Sequence, residues 1–148
     1  MDDHRLWQVR AFVYQHFAGT GHPPTVEGAS AHLHLTREEA AEAYEQLHER
    51  HAVFLLPGTH HIQMAFPFSG VETPYRVYAN GVMYFANCAW DTLGIPAALH
   101  ADADMEAACA QSGESIQLRV RDGQVEGSDA RVHFLVPFRD WYEDLSFT

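Results

Sequence analysis

Cys88 and Asp91 are the residues whose types and spacing could most readily do chemistry. They lie three positions apart, where an apolar and aromatic strand (residues 81–86) is predicted to run into a helix (residues 88–99). Residues three apart on a helix share a face, so the two side chains could meet over one substrate atom. A cysteine at a helix start also faces the positive end of the helix dipole, which favours the nucleophilic, soft-metal-binding thiolate. The pair therefore predicts thiolate chemistry assisted by a proton donor or acceptor.

Each of these two residues also has an ordinary structural interpretation. A free cysteine is often a small buried hydrophobic residue, and an aspartate in the first helical turn often stabilises the dipole. The other cysteine, Cys109, ends a predicted strand (residues 107–109) and is more typical of the core. It could instead approach Cys88 and complete a two-thiolate site for a linear soft ion. The spacing alone leaves these alternatives open.

Two histidine pairs, His32 with His34 and His60 with His61, suggest a metal site. Neither pair has a matching set of Cys or His at zinc-type spacing, so surface histidines are the favoured interpretation. The sequence also lacks the glycine-rich nucleotide-binding loops, the nucleophile-elbow motif and the zinc-protease motif.

The elements that would position the site begin with three helices. Apolar residues at helical spacing predict a first helix over residues 3–17: Leu6, Val9, Phe12, Val13 and Phe17. Thr25 can cap a short second helix to residue 31. Thr36 and Glu39 form a capping box for a third helix, which ends near residue 50. Its apolar stripe consists of Ala40, Ala43, Tyr44 and Leu47. A hairpin over residues 53–64 would complete a winged-helix-like domain, residues 1–66.

The rest of the chain predicts a sheet. Residues 67–74 are predicted to be a linker, because they contain Pro and Gly residues that interrupt regular secondary structure. Beyond it, Asn80-Gly81 indicates one hairpin and Asp122-Gly123 another. Residues 132–136 are predicted to be a last strand. The fold class is therefore α+β: a winged-helix-like three-helix domain, then a mainly antiparallel sheet with a helix packed on it (residues 75–148).

Composition excludes some classes of partner. The formal charge of −11 and an acidic third helix disfavour nucleic acid, since phosphate binding requires clustered basic residues. We expect that the winged-helix-like domain has a packing or lid role and does not bind DNA. No apolar run is long enough to span a bilayer, so no membrane partner is expected. Two cysteines make no disulfide framework, which favours a reducing cytoplasm. The sequence gives no indication of the oligomeric state.

The segment around Cys88 resembles the active-site segment of the alkylmercury (organomercurial) lyases. In that family a Tyr-rich strand leads to Cys-Ala-x-Asp-Thr-Leu and then to an apolar helix with a proline. Here residues 84–99 read Tyr-Phe-Ala-Asn-Cys-Ala-Trp-Asp-Thr-Leu-Gly-Ile-Pro-Ala-Ala-Leu. The likeness extends, more weakly, to the strand that ends at Cys109 and to the N-terminal domain, so it covers most of the chain.

The resemblance implies protonolysis of a carbon–mercury bond. Cys88 would coordinate the mercury, and Asp91 would take the thiol proton and return it to the leaving carbanion. Organomercury or Hg(II) is then a substrate or product ligand of Cys88, Asp91 and, less strongly indicated, Cys109. No separate cofactor is implied.

The chain departs from the family at a further cysteine. Family members carry it downstream of a segment comparable to residues 132–137, and here residues 141–148 lie about where it is expected. Either the chain is cut short or the cysteine has been lost, and without that cysteine we expect a slow enzyme or a binder. A lyase could still be active in a longer native chain or with Cys109 recruited. Two alternatives to a lyase remain: a non-enzymatic binding or sensing module for a thiophilic metal, and a scaffold repurposed for another thiol-reactive small molecule.

Overall fold

The computed structural model describes residues 1–109, 111–134 and 136–143. These residues form four α-helices, one 3₁₀ helix and one eight-stranded antiparallel sheet, so the predicted α+β class is confirmed. The helices are α1 (Asp3–Thr20), α2 (Val26–Leu33), α3 (Arg37–Glu49), α4 (Asp91–Leu99) and the 3₁₀ helix (Phe138–Glu143). The strands are β1 (Phe54–Leu55), β2 (Ile62–Ala65), β3 (Phe68–Ser69), β4 (Arg76–Ala79), β5 (Val82–Ala86), β6 (Ala103–Ala108), β7 (Ser115–Arg121) and β8 (Gln124–Glu126).

The first helix forms where the apolar spacing predicts it. All five apolar residues of its predicted stripe are buried, and the helix continues three residues beyond the predicted end. The Asp2 carboxylate accepts a hydrogen bond from the Arg5 backbone N–H at 2.9 Å and caps the helix start. Gly21 ends it in the left-handed conformation, at φ 77°.

The next two helices also begin at their predicted caps. The Thr25 hydroxyl accepts from the Gly28 N–H at 3.0 Å. Thr36 and Glu39 form the reciprocal capping box, with distances of 3.1 and 2.8 Å. The predicted apolar stripe of α3 is buried. Strands β1 and β2 then form the predicted antiparallel hairpin. The assignment of this region to the winged-helix class stays a prediction.

The sheet continues through the segment predicted to be a linker. Its strand order is β1-β2-β3-β5-β4-β6-β7-β8. Strand β3 lies inside residues 67–74 and pairs with β2 on one side and β5 on the other. Tyr84 of β5 is fully buried, and its hydroxyl donates to the Ala18 carbonyl of α1 at 2.7 Å. The division of the chain into domains at this segment stays a prediction.

The two cysteines follow strands that end at the same end of the sheet. Arg76 of β4 pairs with Phe85 of β5 and with Glu106 of β6, and both pairings are antiparallel. Strands β5 and β6 therefore run in the same direction, with β4 between them. Cys88 follows the end of β5 and Cys109 follows the end of β6.

Two predicted elements differ from the structure. The helix predicted over residues 88–99 begins only at Asp91, so Cys88 precedes it. The last strand predicted over residues 132–136 is absent from residues 132–134 and 136, and Leu135 lies outside the described residues. The Phe134 ring contacts Trp90 and Trp141 instead, with centroid separations of 6.3 and 5.1 Å. Aromatic packing across the chain thus replaces sheet pairing here.

Candidate active site

The end of β5 is held on both sides just before Cys88. On the β4 side, the Thr73 hydroxyl donates to the Ala86 carbonyl at 2.6 Å. On the β3 side, the Asn87 side-chain amide donates to the carbonyls of Pro67 and Phe68, each at 3.2 Å. These bonds fix the direction in which the chain leaves the sheet, and so they position Cys88.

Helix α4 starts against the same turn. Its N-cap position, Trp90, makes no side-chain capping bond, and the Thr92 hydroxyl donates to the Ala89 carbonyl at 2.7 Å. A Cβ atom placed on Gly94 would lie 3.0 Å from the Pro67 Cβ and 3.9 Å from Asp91 Oδ1. Glycine at this position therefore lets the first turn of α4 approach the Phe66–Pro67 peptide, which is cis.

The structure brings Cys88 and Asp91 together. The Cys88 thiol donates to Asp91 Oδ2 with an Sγ–Oδ2 distance of 3.6 Å. Asp91 is only 9% exposed and Cys88 is partly buried. Although Cys88 lies before the helix and not within it, the predicted contact across three residues is present.

Burial controls the protonation of both groups. It raises the pKa of Cys88, and the nearby Asp91 charge adds to this rise. The backbone N–H groups of Asp91 and Trp90 lower that pKa, as the helix-start argument predicts, but burial outweighs them. The predicted preference for thiolate is therefore wrong for the protein without substrate. Burial also raises the pKa of Asp91, and the neighbouring Asn87 amide and the Cys88 thiol offset only part of the rise.

Cys109 lies in a different environment, at the turn between β6 and β7. It is partly exposed and is not part of the hydrophobic core, so the predicted core position is wrong. The Ser112 hydroxyl and the backbone N–H groups of Ser112 and Gln111 lower the pKa of the thiol. An open groove of about 890 Å³ is lined by residues 109, 114–117 and 127–130. Its lining includes neither Cys88 nor Asp91.

The predicted metal ligands do not form a larger cluster. Across residues 1–109, 111–134 and 136–143, no group of three or more His, Cys, Asp or Glu side chains could hold a metal ion. Cys109 is therefore not the third member of such a group with Cys88 and Asp91. His32 and His34 are exposed, and His60 bonds to Glu45 at 2.7 Å. The surface interpretation of these histidines agrees with their exposure.

Sequence reasoning missed the groups around the pair. Asn87 directly precedes Cys88, and its polar type at a strand end was the available signal. Trp90, between the two site residues, is 56% exposed and contacts Phe134, which no local pattern indicates.

Comparison with known proteins decides the family. The family model described as alkylmercury lyase (MerB) matches residues 68–147, which is more than half of the chain and includes Cys88 and Asp91. The chain belongs to the alkylmercury lyase family. Within this lyase-family chain, the two side chains in contact are those that the resemblance assigns to the reaction.

A solved structure supports the fold. The protein of the "Crystal structure of the mercury-bound form of MerB2" superposes with a TM-score of 0.66 at 22% sequence identity. The match covers 87% of this lyase-family chain and 61% of that chain, so the present chain spans less than two thirds of its length. No curated protein matches. None of the helices in the described residues is long and apolar enough to cross a membrane.

Proposed function

We propose that this chain carries out protonolysis of carbon–mercury bonds, with Cys88 as the mercury ligand and Asp91 as the proton carrier. The observation that carries the proposal is the 3.6 Å contact from Cys88 Sγ to Asp91 Oδ2. A thiol that already donates to a buried carboxylate has a built-in route for its proton. Membership of the alkylmercury lyase family supports a small organomercury compound as the partner.

The first step is formation of a sulfur–mercury bond. The Cys88 thiol is protonated at rest because burial raises its pKa. As the Cys88 sulfur binds the mercury of R–Hg⁺, its proton moves to the Asp91 carboxylate. Mercury favours soft sulfur ligands, so the thiolate that was costly in the buried site becomes stable on binding the ion.

The second step returns the proton. The carboxylic acid of Asp91 protonates the carbon as the carbon–mercury bond breaks, with the bond's electron pair going to the new C–H bond. The products are R–H and Hg(II) on the Cys88 sulfur, and Asp91 is again ionised. Burial, which raises the pKa of Asp91, favours the protonated form that this step requires. No cofactor takes part in this sequence of steps.

Release of Hg(II) from the Cys88 sulfur requires a further thiolate that binds the ion in its place. In the family a second cysteine grips the ion, and free thiols then remove it. A small-molecule thiol can supply that ligand to Cys88-bound mercury. The chemistry also requires a reduced Cys88, for which a reducing cytoplasm is suited.

The test is release of benzene from phenylmercury by the purified chain. The assay is run at several concentrations of free thiol, because thiol can replace a protein ligand and hide a slow step. We expect turnover above the thiol-only background that depends on Cys88, with Cys109→Ser as the matched cysteine control. Tight binding of phenylmercury with no benzene above background would refute the lyase and favour the binding or sensing module. No binding by reduced protein would favour a repurposed scaffold.

A further inference from the structure

We propose that the exposed ring of Trp90, with Phe134 packed against it, binds the organic group of the substrate, so that the site favours arylmercury over methylmercury compounds. This inference rests on the proposed function and adds the class of organic group to it. Trp90 contacts only the group that leaves as R–H in this scheme. The mercury and the proton are handled by Cys88 and Asp91.

Trp90 belongs to the same turn as the reacting pair. The 3.6 Å contact from Cys88 Sγ to Asp91 Oδ2 closes residues 88–91 into one turn, and Trp90 lies within it. Burial raises the pKa of Cys88, and the Trp90 backbone N–H is one of two that oppose this rise, which requires that N–H to lie close to the sulfur. The Trp90 side chain therefore starts beside the atom that binds mercury.

Packing in the core does not explain the Trp90 ring. The side chain is 56% exposed, and at the N-cap position of α4 it makes no capping hydrogen bond. Its ring contacts that of Phe134, which is itself 37% exposed, with the centroids 6.3 Å apart and the planes at 60°. Single exposed apolar side chains are ordinary, whereas exposed apolar side chains that adjoin one another are typical of a binding surface.

Phe134 is held in place from its other side. Its ring centroid lies 5.1 Å from that of Trp141, and the Trp141 indole N–H donates to the Val136 carbonyl at 3.0 Å. The segment that follows the sheet thus folds back and places an aromatic ring against Trp90. This contact leaves more than half of Trp90 exposed, so a further ring can pack on it.

The shape of the substrate determines what this surface can distinguish. Mercury bonded to one sulfur and one carbon is linear, so the organic group of a mercurial on Cys88 lies on the far side of the metal from the sulfur. A phenyl group there can pack on Trp90 by its face or its edge, and such aromatic pairs are more stable than their buried area alone predicts. A methyl group has no ring and little apolar area. Contact with Trp90 therefore separates the two substrates, whereas the sulfur–mercury bond is common to both.

The experiment measures the binding of phenylmercury and of methylmercury at Cys88 in competition with free thiol, by mass spectrometry of the adduct. All the proteins carry Cys109→Ser and Asp91→Asn, so that Cys88 is the remaining cysteine and the carbon–mercury bond stays intact. The variants on this parent are Trp90→Ala and Trp90→Leu. The matched control is Trp7→Ala, because Trp7 of α1 is a second exposed tryptophan, at 46%.

We expect Trp90→Ala to weaken phenylmercury binding by about two- to tenfold, the effect of one aromatic contact, and methylmercury binding by less than about twofold. Trp90→Leu keeps an apolar side chain and removes the ring, so it should show a smaller selective loss. It provides the answer if Trp90→Ala fails to fold. Trp7→Ala should change neither affinity. With Asp91 intact, Trp90→Ala should lower the ratio of kcat/KM for phenylmercury to kcat/KM for methylmercury by the same factor.

Equal losses for the two mercurials, or an unchanged phenylmercury affinity, overturn the inference, as does the same selective loss in Trp7→Ala. A dimer of the parent that Trp90→Ala dissociates would assign the aromatic surface to a second copy of the chain and overturn it as well. If phenylmercury binding depends on Trp90 but the wild-type chain releases no benzene, the lyase proposal alone fails, because binding is read without turnover. If neither mercurial binds reduced Cys88, both proposals fail.

Discussion

Cys88 and Cys109 leave the same end of one sheet on either side of β4, yet their surroundings push their pKa values in opposite directions. Cys88 is followed by a helix and contacts a buried carboxylate, and burial raises its pKa. Cys109 lies in a turn where a hydroxyl and two backbone N–H groups lower its pKa. The residue with the more acidic thiol is thus not the one that contacts a buried carboxylate. In the proposed reaction, which must also return a proton, the group beside the sulfur matters more than the resting charge of the sulfur.

The largest expected effect separates the two cysteines by function. Cys88→Ser should reduce benzene release from phenylmercury to the thiol-only background, a loss of about a thousandfold or more, because the mercury ligand is removed. Cys109→Ser should change the rate less than about twofold, since it lies outside the pair. Steady-state assays on both variants measure this. A large loss in Cys109→Ser at low thiol would instead show that Cys109 is a second mercury ligand.

The next largest effect on the rate is expected from the loss of the Asp91 carboxylate, which contacts Cys88. Asp91→Asn should lower the rate by about 10² to 10⁴, the usual contribution of a general acid–base group. Binding of phenylmercury through Cys88 should persist, as measured by mass spectrometry of the adduct. An Asp91→Asn protein with wild-type turnover would remove Asp91 from the mechanism.

The same substitution should stabilise the protein at neutral pH. The pKa of Asp91 is higher in the folded than in the unfolded chain, so the folded state binds the proton more tightly. Wild-type stability therefore falls as pH rises from the ordinary carboxyl pKa through the raised folded one. Asp91→Asn should lack this fall, so its melting temperature should exceed the wild-type value at pH 7 and match it more closely near pH 3. Equal pH profiles for the two proteins would contradict the raised pKa.

Alkylation tests the comparison without mercury. Iodoacetamide reacts with thiolates, so Cys109 should be labelled before Cys88 in the folded protein near pH 8, by about tenfold or more in rate. This order reverses the one that the helix-start argument predicts. Peptide mapping after timed quenching gives both rates, and labelling in denaturant provides the reference in which the difference should disappear. Faster labelling of Cys88 would show that the N–H groups at the start of α4 outweigh burial.

A smaller effect is expected from Gly94→Ala, which alters the surroundings of Cys88 and leaves those of Cys109 unchanged. The added methyl group would press on Pro67, and overpacking of this kind costs about 1–3 kcal/mol. Urea denaturation measures the loss, with Gly19→Ala as the control because a Cβ there meets nothing within 4 Å. Alkylation of Cys109 should be the same in both variants. A Gly94→Ala protein as stable as Gly19→Ala would show that the turn around Pro67 yields easily.

Much of this molecule could be predicted because the controlling interactions are local. The caps at Thr25 and Thr36 involve residues three positions apart, and so does the contact between Cys88 and Asp91. The remaining features depend on chain partners far apart in sequence. Asn87 reaches Pro67 across 20 residues, and this depends on the pairing of β3 with β5. At Cys88, burial raises the pKa of the thiol more than the start of the helix lowers it. That burial comes from tertiary packing, which the spacing of residues in the sequence does not reveal.

The two-residue strand β3 has a consequence for how the whole chain holds together. Its neighbours are β2, which belongs to the hairpin after α3, and β5, which leads to Cys88. A second connection is the hydrogen bond from the Tyr84 hydroxyl of β5 to the Ala18 carbonyl of the first helix. The N-terminal helices and the end of the sheet at Cys88 should therefore unfold in one cooperative transition. Hydrogen exchange would then give similar protection energies in both regions. Helices α1 to α3, far from Cys88 in sequence, should then help to hold Cys88 and Asp91 in contact.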